Sequence, residues 1–415
     1  MNAGVAPPAE GFSSDRIAVV DVLRAFALFG IIIAHSQMGF LAGPAPDPLH
    51  MTFSSLDKFV GELARLFTFG KFFAIFSFLF GLSFAIQLAN ATRKGTPFAG
   101  RFIWRLMILL AIGFAHHIFF SGDILMIYAL LGLLLVPCRG FNNKTLLIVA
   151  LVLILNIPGL VLGTLQVTAP PSTPAQQQAA AESRKQFMQG AQRQYTIKQS
   201  GTLEELIDIN VKETLVTKVT FQLFTGRFWI TFGLFLLGLY AGRLNLFRDT
   251  EANRHIFRRL LIGSGIIALI TTVIAAAFPT SFRVASLRDV LGTFSFSIQQ
   301  ASLAAFFVAA ITLSYWRNPA RGLLRHLAPM GRMGLTTYLM QSVFGLIAFY
   351  GIGFGLLGKL GIAASVALGI LFFIAQIFMA RWWMAHFALG PVEWLWRSLT
   401  HFKLQPNGRS QVSAA

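Results

Sequence analysis

The stretch VDVLRAFALFGIIIAHS, Val20 to Ser36, decides the fold: it is long and apolar enough to cross a bilayer, yet it holds an aspartate, an arginine and a histidine. About 20 mostly apolar residues span a hydrocarbon core. An ionised side chain at the centre of such a span costs on the order of 3 kcal/mol. At about 100° per residue, Asp21, Arg24 and His35 project within about 60° of one another, so the helix has one polar face. Arg24 and His35 lie roughly 16 Å apart along its axis. An embedded ionisable face marks a functional position. Asp21 and Arg24 also suit a buried ion pair that sets helix register, and His35 an interfacial imidazole capped by a hydroxyl or carbonyl. As a chemical group, His35 has the affinity for protons that general-base work near neutral pH needs.

The rest of the chain supports a membrane fold. Of its 415 residues, 55% are hydrophobic and only 12% charged, with 42 Phe and 37 Gly. Soluble domains carry about a quarter charged residues. Apolar runs fall near 17–37, 69–89, 103–120, 123–137, 145–166, 227–246, 260–278, 291–314, 334–354 and 360–384. The expectation is an all-α, polytopic membrane helix bundle of about ten transmembrane helices. The net charge of +18 sits in alternate short loops. Arg93, Lys94, Arg101, Arg139, Lys144, Arg243, Arg248, Arg254, Arg258, Arg259, Arg317, Arg321, Arg325 and Arg332 all fall on one side. The opposite loops are poor in basic residues or balanced by Asp47, Asp57 and Glu62. The positive-inside rule then puts both termini in the cytoplasm. A nucleic-acid partner would need a contiguous basic face, so none is expected. The N-terminus has no signal-peptide pattern, and the first helix is expected to be retained.

The chain divides into a cytoplasmic tail (1–16), N-terminal spans (17–166), an extracytoplasmic helical excursion (167–225), C-terminal spans (226–388) and an interfacial helix with tail (389–415). The excursion opens on a Pro-rich turn. Its apolar stripe Leu203, Leu206, Ile207, Val211 and Leu215 includes Asn210. It reads as a helical hairpin packed on the bundle, or as a lid over a site. Gly238–Gly242 and Gly351–Gly355 fit the small-xxx-small pattern of packed helices. The lone Cys138 excludes an intramolecular disulfide, and no metal-ligand spacing is present.

Further polar groups lie at the span ends. In AHHIFFSGDILMIYAL, Asp123 either caps the next helix or orients one of His116 and His117. Adjacent helical residues project about 100° apart, so at most one of these histidines should face the interior. Lys71 opens the second span, to snorkel or to meet an anionic substrate. Arg101 and Arg105 share one face of the third span, and Arg332 precedes Thr336, Thr337 and Gln341 in the ninth. These are ordinary anchors or a cradle for a phosphorylated ligand. Trp382, Trp383, Trp394 and Trp396 suit an interfacial belt, with Glu393 placed to pair with an arginine.

Four blocks resemble the YeiB-like family, bacterial membrane proteins with a domain of unknown function (418): VDVLRAFALFGI, GKFFAIFSFLFGLSFA, GDILMIYALLGLLL, and GRMGLTTYLMQS with GPVEWLWRSLT. The family is grouped with transmembrane acyltransferases, including heparan-glucosaminide acetyltransferase and the acyltransferase-three enzymes. In the latter, the first span has an aspartate, an arginine and, eleven residues on, a histidine important for acyl transfer; Asp21, Arg24 and His35 match. Nearer relatives often carry asparagine at the position of His35. The spacing of Arg101 and Arg105 matches the acyltransferases only loosely.

The resemblance implies a multi-pass protein of the bacterial inner membrane. It would move an acyl group, acetyl first, from cytoplasmic acyl-CoA to an extracytoplasmic sugar, lipid or envelope acceptor, without a metal. Its catalytic candidates are His35, His116, His117, Asp123 and Arg24. The donor would meet Asp21, Arg101, Arg105, Arg332 and Gln341, and the substrate would meet Lys71. The partners are the lipid bilayer and a small-molecule or glycan acceptor, with a homodimer left open. The alternatives are a transporter or flippase of an anionic or lipid-like substrate, and a scaffold, which the embedded polar face argues against.

Overall fold

The computed structural model describes residues 17–43, 51–168, 173–277, 286–318 and 322–408. Both tails, Asp47, Arg321 and most of the Pro-rich turn of the excursion lie outside them. Among the described residues the regular elements are helices, joined by one isolated bridge between Phe387 and Gly408. The first part holds α1 (Ala18–Ser36), α2 (Ser55–Thr68), α3 (Lys71–Arg93), α4 (Ala99–Phe119), α5 (Leu125–Cys138), α6 (Asn143–Ile154) and α7 (Ile157–Thr168). The excursion is α8 (Pro174–Ser200), α9 (Leu203–Ile209), a π-helical turn Asn210–Thr214, and α10 (Leu215–Phe224). Next come α11 (Arg227–Arg243), α12 (Glu251–Ala277), α13 (Leu287–Arg317), a 3₁₀ turn Leu323–Leu327 and α14 (Ala328–Arg332). The chain closes with α15 (Gly334–Phe349), α16 (Ile362–His386) and α17 (Pro391–His401).

Six segments are long and apolar enough to cross a membrane: α1, the run Ser55–Arg93, α4, α12, α13 and α16. The number rises to eight if two bent pairs, α6 with α7 (42°) and the end of the excursion with α11 (67°), each count as one. Two shorter apolar helices, α5 and α15, complete an all-α membrane bundle. Every apolar run read from the sequence overlaps a helix, but 145–166 is broken where Asn156 takes a left-handed φ of 53°.

The bundle is centred on α3 and α11, which run parallel with almost no space between them. A Cβ on Gly81 would lie 1.9 Å from the Phe235 carbonyl oxygen, and one on Gly238 2.1 Å from that of Phe78. Gly242 meets Ala85 in the same way. Backbones this close exchange dispersion contacts that lipid cannot replace. Gly238→Leu should therefore cost at least about 3 kcal/mol, since neither backbone can yield. Thermal melting and size exclusion in detergent check this, and a native-like melting curve would contradict the packing described.

The second glycine motif behaves differently. Gly351–Gly355 is not a helix seam: α15 stops at Phe349, and the glycines form turns. Clustered glycines disfavour helix by about 1 kcal/mol each. The Tyr350 hydroxyl also fixes the exit by donating to the Phe40 carbonyl at 3.0 Å, and the Gly351 N–H donates to Lys198 O at 2.9 Å. The turn thus seats the excursion.

Alternating helices give the bundle two chemically distinct ends. One gathers arginines: Arg243 donates to the carbonyls of Arg139 and Phe141, and Arg254 to that of Trp316. The other gathers His35, Lys71, His116, His117 and Arg227, and α8 to α10 cover part of it.

Candidate functional site

At the arginine end, α1 places Asp21 against Arg24, with an Nη1–Oδ1 distance of 2.6 Å and Asp21 only 2% exposed. The second Arg24 nitrogen donates to Ser83 Oγ on α3 at 2.7 Å. Gly331, next to Arg332, packs directly on the Asp21 backbone, which brings α14 to this pair. Higher in the bundle, Gln341 Nε2 donates to Leu28 O at 3.3 Å and to Gln376 Oε1 at 3.2 Å, while its own Oε1 is buried without a partner. The polar face of α1 therefore continues through Gln341 toward His35.

At this end Arg101 and Arg105, on one face of α4 and both near His401, meet different neighbours, and one expected pairing differs. Arg105 stacks over the Trp396 ring, 3.9 Å from its centroid, and its carbonyl accepts from Trp396 Nε1. Arg101 instead lines a shallow cleft of about 380 Å³ with Trp104, Thr400, His401 and Phe402. Glu393 forms no ion pair with an arginine among the described residues: it accepts from the N–H groups of Leu335 and Thr336 and from Thr336 Oγ1. It thereby caps α15, because the first N–H groups of a buried helix need an acceptor more than an exposed arginine needs a carboxylate. Burial raises its pKa above the usual carboxylate range.

At the other end the hairpin between α4 and α5 does two jobs. Asp123 accepts from the N–H groups of Leu125 and Met126, both at 3.1 Å, and so starts α5. The same carboxylate lies 2.9 Å from His116 Nδ1. Capping and orienting, alternatives in the sequence, are combined in one side chain. With Asp123 ionised, the imidazole proton sits on Nδ1 and Nε2 carries a lone pair. That Nε2 is buried and has no hydrogen-bond partner. Phe120 and Tyr338 flank the ring at 5.6 and 5.3 Å between centroids.

His117 is also buried, fully so, against the expectation that only one of the two would be. The reason lies outside the helix: the excursion folds over its end. His117 Nε2 bonds to the Asn210 carbonyl at 3.0 Å, and Lys218 Nζ lies 2.7 Å from Nδ1. Lys218 can only donate, so the His117 proton sits on Nε2 and both nitrogens are engaged. His35 packs beside Phe120, 5.4 Å from that ring and 5.5 Å from Phe40. No hydroxyl or carbonyl caps it among the described residues, and it is half-buried. Lys71 does not snorkel: it is 1% exposed, with its Nζ 5.4 Å from the Phe296 ring centroid.

The excursion supplies residues that sequence spacing did not single out. Lys218 follows Val211 by seven residues, so extending the apolar stripe of the excursion would have reached it. Lys198, 1% exposed, donates to Leu41 O at 2.5 Å and to Ser121 Oγ at 2.9 Å, which pins α8 over the α4–α5 hairpin. Burial holds its pKa down to about 7, against 10.5 in the free side chain. Between those values the released segment binds one more proton than the docked one. Docking should therefore strengthen as pH rises from about 7 toward 10. Hydrogen exchange of α8, corrected for intrinsic rates, should slow across that window, and in Lys198→Met the slowing should vanish.

An all-helical membrane bundle with a buried aspartate–histidine pair at one end and an aspartate–arginine pair at the other defines the class of protein. The family described as "Protein of unknown function (DUF418)" matches residues 241–403. Uncharacterized protein YxaH of Bacillus subtilis (strain 168) is 30% identical over 410 residues, covering 95% of this chain and 96% of its own. An uncharacterized 39.9 kDa protein in the amylase 3' region of Bacillus acidopullulyticus is 24% identical over 94% of this chain and 96% of its own. Uncharacterized protein YeiB of Escherichia coli (strain K12) is 25% identical over 93% of this chain and 96% of its own. The chain belongs to the YeiB-like DUF418 family.

Proposed function

We propose that the protein is a membrane acyltransferase. In this reading it lies in a bacterial inner membrane with its termini in the cytoplasm, takes acyl-CoA at the arginine end, and acylates an acceptor at the histidine end. The observation that carries the reading is the Asp123–His116 pair with its unpartnered Nε2. A base held in one tautomer by a carboxylate is the arrangement that activates hydroxyls in acyl transfer.

In the reaction, His116 Nε2 takes the proton of an acceptor hydroxyl or amine as its oxygen or nitrogen bonds to the thioester carbonyl carbon. The C–S bond breaks, and the leaving thiolate takes the proton back from His116. His35, which also contacts the Phe120 ring, is the second imidazole available to the developing oxyanion. In this reading Arg101 in its cleft, with Arg24 and Gln341, would meet the donor's charge and its amide arm. His117 and Lys218 hold the excursion over the site, so their part is positional.

The test uses radiolabelled acetyl-CoA with purified protein in lipid. Native protein should hydrolyse or transfer the label, and His116→Ala and His35→Ala should lose that activity, whereas His117→Ala should keep more of it. Absence of CoA binding and of turnover in the native protein would end the acyl-transfer reading. The two bent helix pairs favour a second reading, a transporter or flippase, since broken helices build many substrate paths. Flux of a labelled lipid or solute into proteoliposomes without acyl donor would support it.

A further inference from the structure

The central pair α3 and α11 begin side by side at the histidine end, and each begins with a cation. Both helices are preceded by a glycine in the left-handed region, Gly70 with φ 83° and Gly226 with φ 69°. Neither glycine can cap with a side chain, and among the described residues no N-cap side chain accepts from the first N–H groups of either helix. Such ends carry about half a positive charge each. Lys71 and Arg227 are the first residues of the two helices.

Their shared neighbourhood is aromatic. The Arg227 guanidinium lies 5.5 Å from the centroid of Phe69 and 4.7 Å from that of Phe73, which bracket Lys71 in the chain. Phe69 in turn meets Phe296 at 6.1 Å, the ring under the Lys71 ammonium. Lys71 is 99% buried by its 1% exposure, and neither cation makes a hydrogen bond or ion pair among the described residues. The buried Lys71 ammonium and the half-buried Arg227 guanidinium carry three and five donors, and leaving a buried charge unmatched is destabilising. Ring faces answer only part of that demand. Beside them the buried Gln300 carbonyl, pressed against Gly70, also has no partner.

The geometry points to a binding site for a phosphate-type dianion between the starts of α3 and α11, with Lys71 and Arg227 as its two cationic ligands. Two full charges and two uncapped helix starts match a doubly charged phosphate or diphosphate better than a single carboxylate. The same chemistry comes from a free phosphate or from the headgroup of a lipid, and this end of the bundle meets both. The site does not depend on the acyl-transfer reading, because binding is measured without any acyl donor.

The experiment uses the full chain in phosphatidylcholine nanodiscs. One arm titrates inorganic pyrophosphate calorimetrically; the other replaces phosphatidylcholine stepwise with phosphatidic acid and follows the melting temperature. Saturable pyrophosphate binding or a phosphatidic-acid-dependent rise in melting temperature is expected, and the responding arm names the source. Lys71→Met and Arg227→Gln should weaken that response at least tenfold, whereas Arg93→Gln, at the other end of α3, should not. Lys71→Met should also melt higher than the native chain when no anion is present, because it removes a buried charge that only a ligand satisfies. That combination separates lost binding from lost folding. No response of the native chain in either arm, or an unchanged response in both variants, overturns the site.

Discussion

Asp123→Asn should lower acyl-transfer turnover by about 10³- to 10⁴-fold while leaving a folded protein. The asymmetry follows from the two jobs of this side chain. Asparagine keeps a carbonyl oxygen in the place of Oδ2 that accepts from Met126 and gives up only the Leu125 bond, so α5 still starts near the same residue. Its NH₂, turned toward His116, donates to Nδ1 and forces the imidazole proton onto Nε2. The base then has no lone pair facing the acceptor. His116→Ala should lose as much, and the double variant no more than either single one, because the two groups act as a unit. Binding of acyl-CoA should be unaffected in all three. Turnover in Asp123→Asn within tenfold of native would show that His116 is not the base.

The second large effect concerns stability. Asp21→Ala should destabilise the protein by about 3 kcal/mol or more, because it removes the carboxylate 2.6 Å from Arg24 inside the bundle. Arg24 keeps its bond to the Ser83 hydroxyl, which does not replace a carboxylate. Replacing both partners, Asp21→Leu with Arg24→Leu, should recover most of the loss, since the desolvation cost disappears with the charges. Denaturant melts of the three variants measure both steps. A double variant as unstable as the single one would mean that the pair holds more than its own charges, including the α14 turn that packs on Asp21.

What could be read from the sequence was whatever repeats within one helix. The shared face of Asp21, Arg24 and His35 follows from periodicity, as does the all-α bundle from apolar runs. Asp123 was visible as both cap and orienter because its partners are two, three and seven residues away. His117 shows the limit: its partner Lys218 is 101 residues on, in a segment that looked like a surface hairpin. Periodicity on α4 alone made one histidine face outward, and only the tertiary cover reversed that. The shared face together with the family resemblance put His35 first as the base, whereas the orphaned nitrogen of His116 appears only once Tyr338 and Phe120 close around it. Lys71 and Arg227 begin separate helices 156 positions apart. Gly351–Gly355 looked like a seam because glycine spacing reports close approach without saying whether the partner is a helix or a turn.

The Asp21–Arg24 pair also bears on how the protein is made. The two residues are three apart, so their charges cancel on a single helix before any later segment leaves the ribosome. The first span can therefore be handed to the bilayer as a neutral unit. Lys71 has no such partner on α3, and Arg227, Phe296 and Gln300 are synthesised long after it. The nascent chain must carry that lone charge through insertion, and the later helices bring it ring faces and a second cation rather than a countercharge. A ribosome stalled between these helices leaves that charge facing lipid without the ring that covers it in the folded bundle.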